Sequence, residues 1–167
     1  DPSAMPAAQP RRSVGPVRIS VLLPTRNGGE FLRDCIESVL SQEGQHVELV
    51  VSDNANTDST KSVLDSFKAD VRLKVIHSDD VLPVTENWNR ALAASTGDYV
   101  IMLGDDDCLL PGALARLNLR RAEHDYPDCM TYSGISFSFP GSLGRDPDAY
   151  FADPHFVFEP RLSTPRE

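Results

Sequence analysis

Apolar residues in this chain gather into short runs with turn-forming and helix-like stretches between them. Val17 to Leu23 is the first run, of strand type, and Asn27-Gly28-Gly29 breaks it. Phe31, Leu32, Cys35, Ile36, Val39 and Leu40 then recur at helical spacing. Val47 to Val51 is a second strand. Asp58 or Ser59 is placed to cap a second helix whose apolar face is Val63, Leu64 and Phe67. Val71 to Ile76 is a third strand. A third helix is expected with Thr85 as its cap, Trp88, Leu92 and Ala93 on one side, and Gly97 as its stop. Tyr99 to Leu103 is a fourth strand, bounded by Gly104. Pro111 suits the first turn of a fourth helix carrying Leu114, Leu117 and Leu119. Cys129 to Phe139 reads as a fifth strand-like segment, and no periodic element follows Pro140.

Strand and helix thus alternate four times between Val17 and Ala122. That pattern predicts an α/β fold with a mostly parallel central sheet and helices on both faces. Residues 1–16, rich in Pro and Ala, read as a disordered lead-in, with residues 1–4 before Met5 as a cloning remnant. Residues 17–139 form the expected folded domain and residues 140–167 an irregular tail.

Composition narrows the function. A chain of 167 residues suffices for one domain with a core, and a formal net charge of −9 argues against a nucleic-acid partner. No apolar run is long enough to span a bilayer. The three cysteines, Cys35, Cys108 and Cys129, have no metal-ligand spacing and are expected as reduced thiols in a cytoplasmic protein. His46, His77 and His124 are scattered and read as structural or surface residues.

In parallel sheets ligands bind outside the carboxyl ends of the strands. Here those ends carry Thr25-Arg26-Asn27, Asp53-Asn54 through Asp58, and Asp105-Asp106-Asp107. Adjacent carboxylates repel one another, and a divalent cation removes that penalty. Oxygen ligands suit Mn2+ or Mg2+. An isolated acidic triplet is more often a solvated loop, but this one directly follows a buried-type strand. Asp53 and Asp58 also have bland readings, as a turn former and a helix cap. Functionally, the Asp53 carboxylate can accept the N3–H of uracil or thymine, or the N1–H of guanine.

Three segments make a more specific match. They are Val21-Leu22-Leu23-Pro24-Thr25-Arg26-Asn27, then Val51 through Asp58, then Gly97 through Asp107, with Asn87-Trp88-Asn89-Arg90-Ala91-Leu92 between the last two. Together they resemble a family 2 glycosyltransferase, and the likeness runs from about Val17 to Leu119. The resemblance implies a Rossmann-like GT-A fold and sugar transfer from a nucleoside diphosphate to an acceptor hydroxyl, with inversion. It implies that Pro24 and Thr25 wall the base and ribose and that Asp53 contacts the base. Asn27, Asn54, Asn89 and Asp105 join the nucleotide-sugar site, with Asp106 and Asp107 as metal ligands. A UDP-sugar is the favoured donor, and the acceptor is a saccharide or a lipid-linked saccharide that would bring a full-length protein to a membrane surface.

The chain departs from the pattern in places. Gly104 stands where many relatives carry the first Asp, Asn56 replaces a Ser and is expected to alter only the turn, and Trp88 stands at a frequent Arg and is expected in the core. No residue is identified as the catalytic base. Asp146, Asp148, Asp153, His155 and Glu159 lie in the tail, and the chain is expected to be the N-terminal, sugar-donor-binding part of a longer enzyme. A non-catalytic nucleotide-sugar-binding fragment is the main alternative. A nucleotidyltransferase would need a glycine-rich basic loop after the first strand. A signalling receiver domain would need acids there, and the first strand ends in Pro24-Thr25.

Overall fold

The computed structural model describes residues 17–29, 31–44, 46–124, 127–131, 137–138 and 150–151. The chain divides into two compact units, Asp1–Pro127 and Asp128–Glu167. The first contains β1 (Arg18–Thr25), α1 (Leu32–Leu40), β2 (His46–Asn54), α2 (Thr60–Phe67), β3 (Leu73–Ser78), α3 (Val84–Ala94), β4 (Tyr99–Met102) and α4 (Ala113–Glu123). The second contains the antiparallel pair β5 (Phe137–Ser138) and β6 (Tyr150–Phe151).

The four strands of the first unit form one sheet in the order β3-β2-β1-β4, and every pairing is parallel. Successive residues point to opposite faces of a strand. One face of the sheet, carrying Ile19, Val21, Leu23, Val47, Leu49, Val51 and Ile101, packs with Leu32, Cys35, Ile36 and Val39 of α1, Val63 and Leu64 of α2, and Leu114 of α4. The other, with Leu22 and Val50, meets Ala91, Trp88 and Ala94 of α3. Each fully buried Leu, Ile or Val contributes about 1.5–3 kcal/mol, so the larger cluster is what holds the sheet in register. The expected parallel sheet with helices on both faces is thus the observed fold. Among the described residues no helix is long and apolar enough to cross a membrane.

Several local expectations are corrected. Thr85 is not a cap, because Pro83 occupies that place and the helix starts at Val84. Gly97 does not stop α3, which ends at Ala94 when Ser95 turns extended. Instead a side chain at Gly97 would strike the Ser20 main-chain nitrogen. The inward face of α3 is Asn87 and Ala91, while Leu92 is half exposed. Pro111 precedes α4, whose N-cap is Gly112 in the left-handed region at φ 72°. Leu119 points to solvent. Of the expected fifth strand, residues 129–131 are not extended into a sheet, Phe137–Ser138 is, and the rest lies outside the described residues.

Candidate functional site

The chain runs outward from β1 to β3, then returns to place β4 on the other side of β1. The switch point of this order lies between β1 and β4, where open α/β sheets make their crevice. Register decides what gathers there. Thr25 pairs with Asp53, and Asp53 pairs with His77, so three strand ends set these residues in one row. On the β4 side the Asp105 carboxylate lies against Gly28, and a Cβ on Gly28 would also stand 2.8 Å from the Thr25 hydroxyl. The row from β3 to β4 is therefore His77, Asp53, Thr25 and Asp105.

The β1 and β2 loops are clamped together. Asn27 and Ala55 both adopt left-handed backbone, at φ 58° and 49°. For Ala55 that conformation is sterically costly. It is held because Ala55 N–H donates to the Ser78 carbonyl at 3.1 Å and Arg26 donates to the Ala55 and Asn54 carbonyls. Asn27 N–H donates to the Asn56 side-chain oxygen, and Thr57 N–H donates to Asn27 Oδ1 at 2.9 Å. Gly29 N–H donates to Asp58 Oδ2 at 3.0 Å, and Thr60 N–H to Asp58 Oδ1 at 3.1 Å. Asp58 thus braces the start of α2 from one residue before its N-cap, which is Ser59 and not Asp58.

Asp53 is nearly buried, with its side chain 10% exposed. Its Oδ1 accepts from Asn56 Nδ2 at 2.5 Å, and its Oδ2 lies 2.9 Å from His77 Nδ1. Asn56 therefore does more than shape a turn. It joins Asp53, Asn27 and the Thr25 carbonyl. Asn56, His77 and Arg26 stand at the strand-end site, where the sequence marks Asn56 as a turn residue, His77 as structural or surface, and Arg26 as a strand-end residue without a role. His77 carries a usable signal, since ligands bind at strand ends, but it lies one residue past Ile76, where the apolar run of the third strand stops, and β3 continues to Ser78.

The other candidates divide into two groups. Asn54 is buried and braces the segment before α3, donating to the Leu82 carbonyl at 3.0 Å and accepting from Leu82 N–H at 2.7 Å. Thr25 is also buried, and its hydroxyl has no hydrogen-bond partner. Pro24 is half-buried beside it. Asn89 is exposed on α3, whereas its neighbour Asn87 is buried and accepts the Ser52 hydroxyl proton at 2.6 Å. Trp88 packs against the α3 side of the sheet, as expected.

The acidic triplet forms a turn, with Asp107 N–H donating to the Gly104 carbonyl at 3.2 Å. That carbonyl also accepts from the buried Cys35 thiol, whose pKa burial pushes far up, so Cys35 stays a neutral thiol beneath the acids. A Cβ on Gly104 would sit 2.9 Å from Asp106 Oδ1 and 3.0 Å from Asp107 Oδ2. Two carboxylates thus converge on a space that only glycine leaves clear. Among the described residues no three His, Cys, Asp or Glu side chains are close enough to hold a metal by themselves. Two hard oxygen donors still fit a cation of the Mg2+ type, which takes one or two carboxylates and completes its shell with phosphate oxygens and water.

The pattern described as Glycosyl transferase family 2 matches residues 20–161. The chain is 31% identical over 147 residues to the GalNAc(5)-diNAcBac-PP-undecaprenol beta-1,3-glucosyltransferase of Campylobacter jejuni, covering 84% of this chain and 47% of that protein. It is 28% identical over 108 residues to the glycosyltransferase GlyG of Streptococcus pneumoniae, covering 64% of this chain and 36% of that protein. Among solved structures it is similar to S. aureus TarS in complex with UDP-GlcNAc, with a TM-score of 0.59 and 25% identity, over 64% of this chain and 32% of that one. The chain spans 32–47% of the length of these proteins.

Proposed function

This chain belongs to glycosyl transferase family 2, and from that premise we propose that its strand-end crevice binds the nucleoside diphosphate of a sugar donor for inverting transfer to an acceptor hydroxyl. The observation that carries the reading is the row of Asp53, Thr25 and Asp105 across the switch point. Asp53 accepts a base N–H, its carboxylate being oriented by Asn56 and His77. Pro24 and Thr25 back the base and ribose, with Asn27, Asn54 and Arg26 keeping the two loops in place, while Asn89, exposed on α3 away from the buried Asn87 and Ala91, is assigned to the donor site by the family resemblance alone. Asp105, against Gly28, meets the ribose. Asp106 and Asp107 would hold Mn2+ or Mg2+, and the ion would supply positive charge to offset that of a leaving diphosphate.

UDP is the favoured nucleotide, because the uracil N3–H is a donor that a carboxylate accepts and because the similar TarS was solved with UDP-GlcNAc. The acceptor is a saccharide, free or lipid-linked. The C. jejuni relative is named for acting on an undecaprenol-linked one.

Calorimetric titration tests this reading. UDP, GDP, dTDP and CDP are each added to the chain with and without Mn2+, and again to Asp106→Ala. UDP is expected to bind only with metal, and at least about tenfold more weakly to the variant, the loss that about 1.4 kcal/mol of metal-mediated attraction represents. Equal binding by the folded variant would refute the metal role, and no binding of any nucleotide to the wild-type chain would refute the site.

A further inference from the structure

His77 is the penultimate residue of β3 and stands opposite Asp53 in the register. Its two ring nitrogens are both engaged: Nδ1 lies 2.9 Å from Asp53 Oδ2, and Nε2 lies 3.2 Å from Asp79 Oδ1. From α3, Arg90 donates through Nη2 to the His77 main-chain carbonyl at 2.7 Å, while its Nη1 is buried without a hydrogen-bond partner. The charged groups around His77 are thus Asp53 from β2, Asp79 from the connection after β3, and Arg90 from α3.

An exposed His–Asp pair is ordinarily worth little. This one is unequal, because the His77 side chain is 57% exposed and the Asp53 side chain only 10%. A carboxylate that is to receive one N–H from a ligand must not rotate. Asn56 fixes Oδ1, and His77 fixes Oδ2. Oδ1 also accepts the Asn56 main-chain N–H at 3.4 Å, so Oδ2, with His77 on one side, is the oxygen that keeps a further lone pair for a ligand.

We propose that His77 is a positioning residue for Asp53, holding the carboxylate toward the nucleobase and, as an imidazolium, offsetting the negative charge that Asp53 and Asp79 present to a nucleoside diphosphate. This inference rests on the sugar-donor reading of the crevice. The Asp53 hydrogen bond, then the charges of Asp53 and Asp79, hold the His77 pKa above its ordinary value. The charged form therefore persists to higher pH than in a free histidine, and its contribution is lost as pH rises through that raised pKa.

Two measurements on the 167-residue chain test it. The first is an NMR titration of the His77 ring, its signal assigned by comparison with His77→Gln, in the wild type and in Asp53→Asn. The ring is expected to titrate above the ordinary histidine value and to fall toward it in Asp53→Asn. A titration unmoved by Asp53→Asn overturns the inference without any nucleotide being present. The second is UDP affinity with Mn2+ between pH 5.5 and 8.5. Relative to His77→Gln, wild-type affinity is expected to fall about tenfold as pH rises through the His77 titration. His77→Gln keeps an N–H but cannot charge, so its profile is expected to follow the titration of the UDP terminal phosphate alone and to meet the wild type at high pH, with His77→Ala weaker still. UDP binding that keeps the wild-type profile in His77→Gln overturns the positioning role and leaves the crevice intact. No UDP binding at any pH, by a chain whose His77 does respond to Asp53→Asn, overturns the sugar-donor reading and the positioning role with it.

Discussion

Gly28 lies where the β1 and β4 loops come within a side chain's reach of each other. Its backbone is not in the left-handed region, so the argument there is space and not strain. A methyl group would press on the buried Thr25 hydroxyl and displace the Asp105 carboxylate. Gly28→Ala is expected to cost about 1–3 kcal/mol of stability through overpacking, read by urea denaturation. It is also expected to weaken UDP binding beyond what unfolding explains, and a variant with unchanged UDP affinity would place Asp105 outside the nucleotide site. At this scale the place of a residue is legible where a strand-end motif carries it, as with Asp53 and the acidic triplet, which stand at the carboxyl ends of β2 and β4. A role that depends on a partner is not legible. Asn56 reads as a turn residue until its side chain is seen to bond Asn27 and the Thr25 carbonyl on the β1 side and Asp53 at the end of β2.

The elements themselves were legible wherever burial wrote a period into them. The β-branched and leucine-rich runs of β1 and β2 and the apolar faces of α1 and α2 stand where their spacing placed them. Their ends were not. β2 and β3 continue past the apolar run into Asn54 and Ser78, because pairing with the neighbouring strand carries polar residues forward that burial does not require. The opposite edge of the sheet shows a second polar device. Glu48 is buried in β2, accepts hydrogen bonds from Ser20 at 2.5 Å and from Thr96, and is paired with Arg18 at 2.8 Å. Burial pushes its carboxyl up, but the hydrogen bonds from Ser20 and Thr96 and the charge of Arg18 outweigh this and hold it below the ordinary value. A depressed carboxylate stabilises the fold above its unfolded pKa, and that stability is lost as pH falls through the folded one. Glu48→Gln is expected to lose about 2 kcal/mol near pH 7, the scale of hydrogen bonds to a charged group. The gap from wild type should narrow below about pH 4. Chemical denaturation at pH 7 and pH 3.5 measures it, and a gap independent of pH would deny that the ionised carboxylate ties β1, β2 and the start of β4 together.

At the scale of the whole molecule, a net charge of −9 and an acidic crevice would repel a diphosphate unless a cation stood between them. They do not supply a catalytic base. A base must stand about 2.6–3.2 Å from the acceptor hydroxyl it deprotonates, and the described strand-end carboxylates have other work. Asp53 is held by Asn56 and His77, Asp58 by Gly29 and Thr60, and Asp106 and Asp107 are the proposed metal ligands. The chain also spans only 47% of the C. jejuni relative. We therefore expect the 167-residue chain to bind UDP with Mn2+ and yet to give no transfer when a labelled UDP-sugar and a saccharide acceptor are incubated with it. Binding without transfer would separate recognition of the sugar donor from proton removal within one chain. Measurable transfer would reverse that conclusion and put the base among Asp146, Asp148, Asp153, His155 and Glu159, where single substitutions to the amide or to Gln would find it as the one change that abolishes turnover and leaves UDP affinity unaltered.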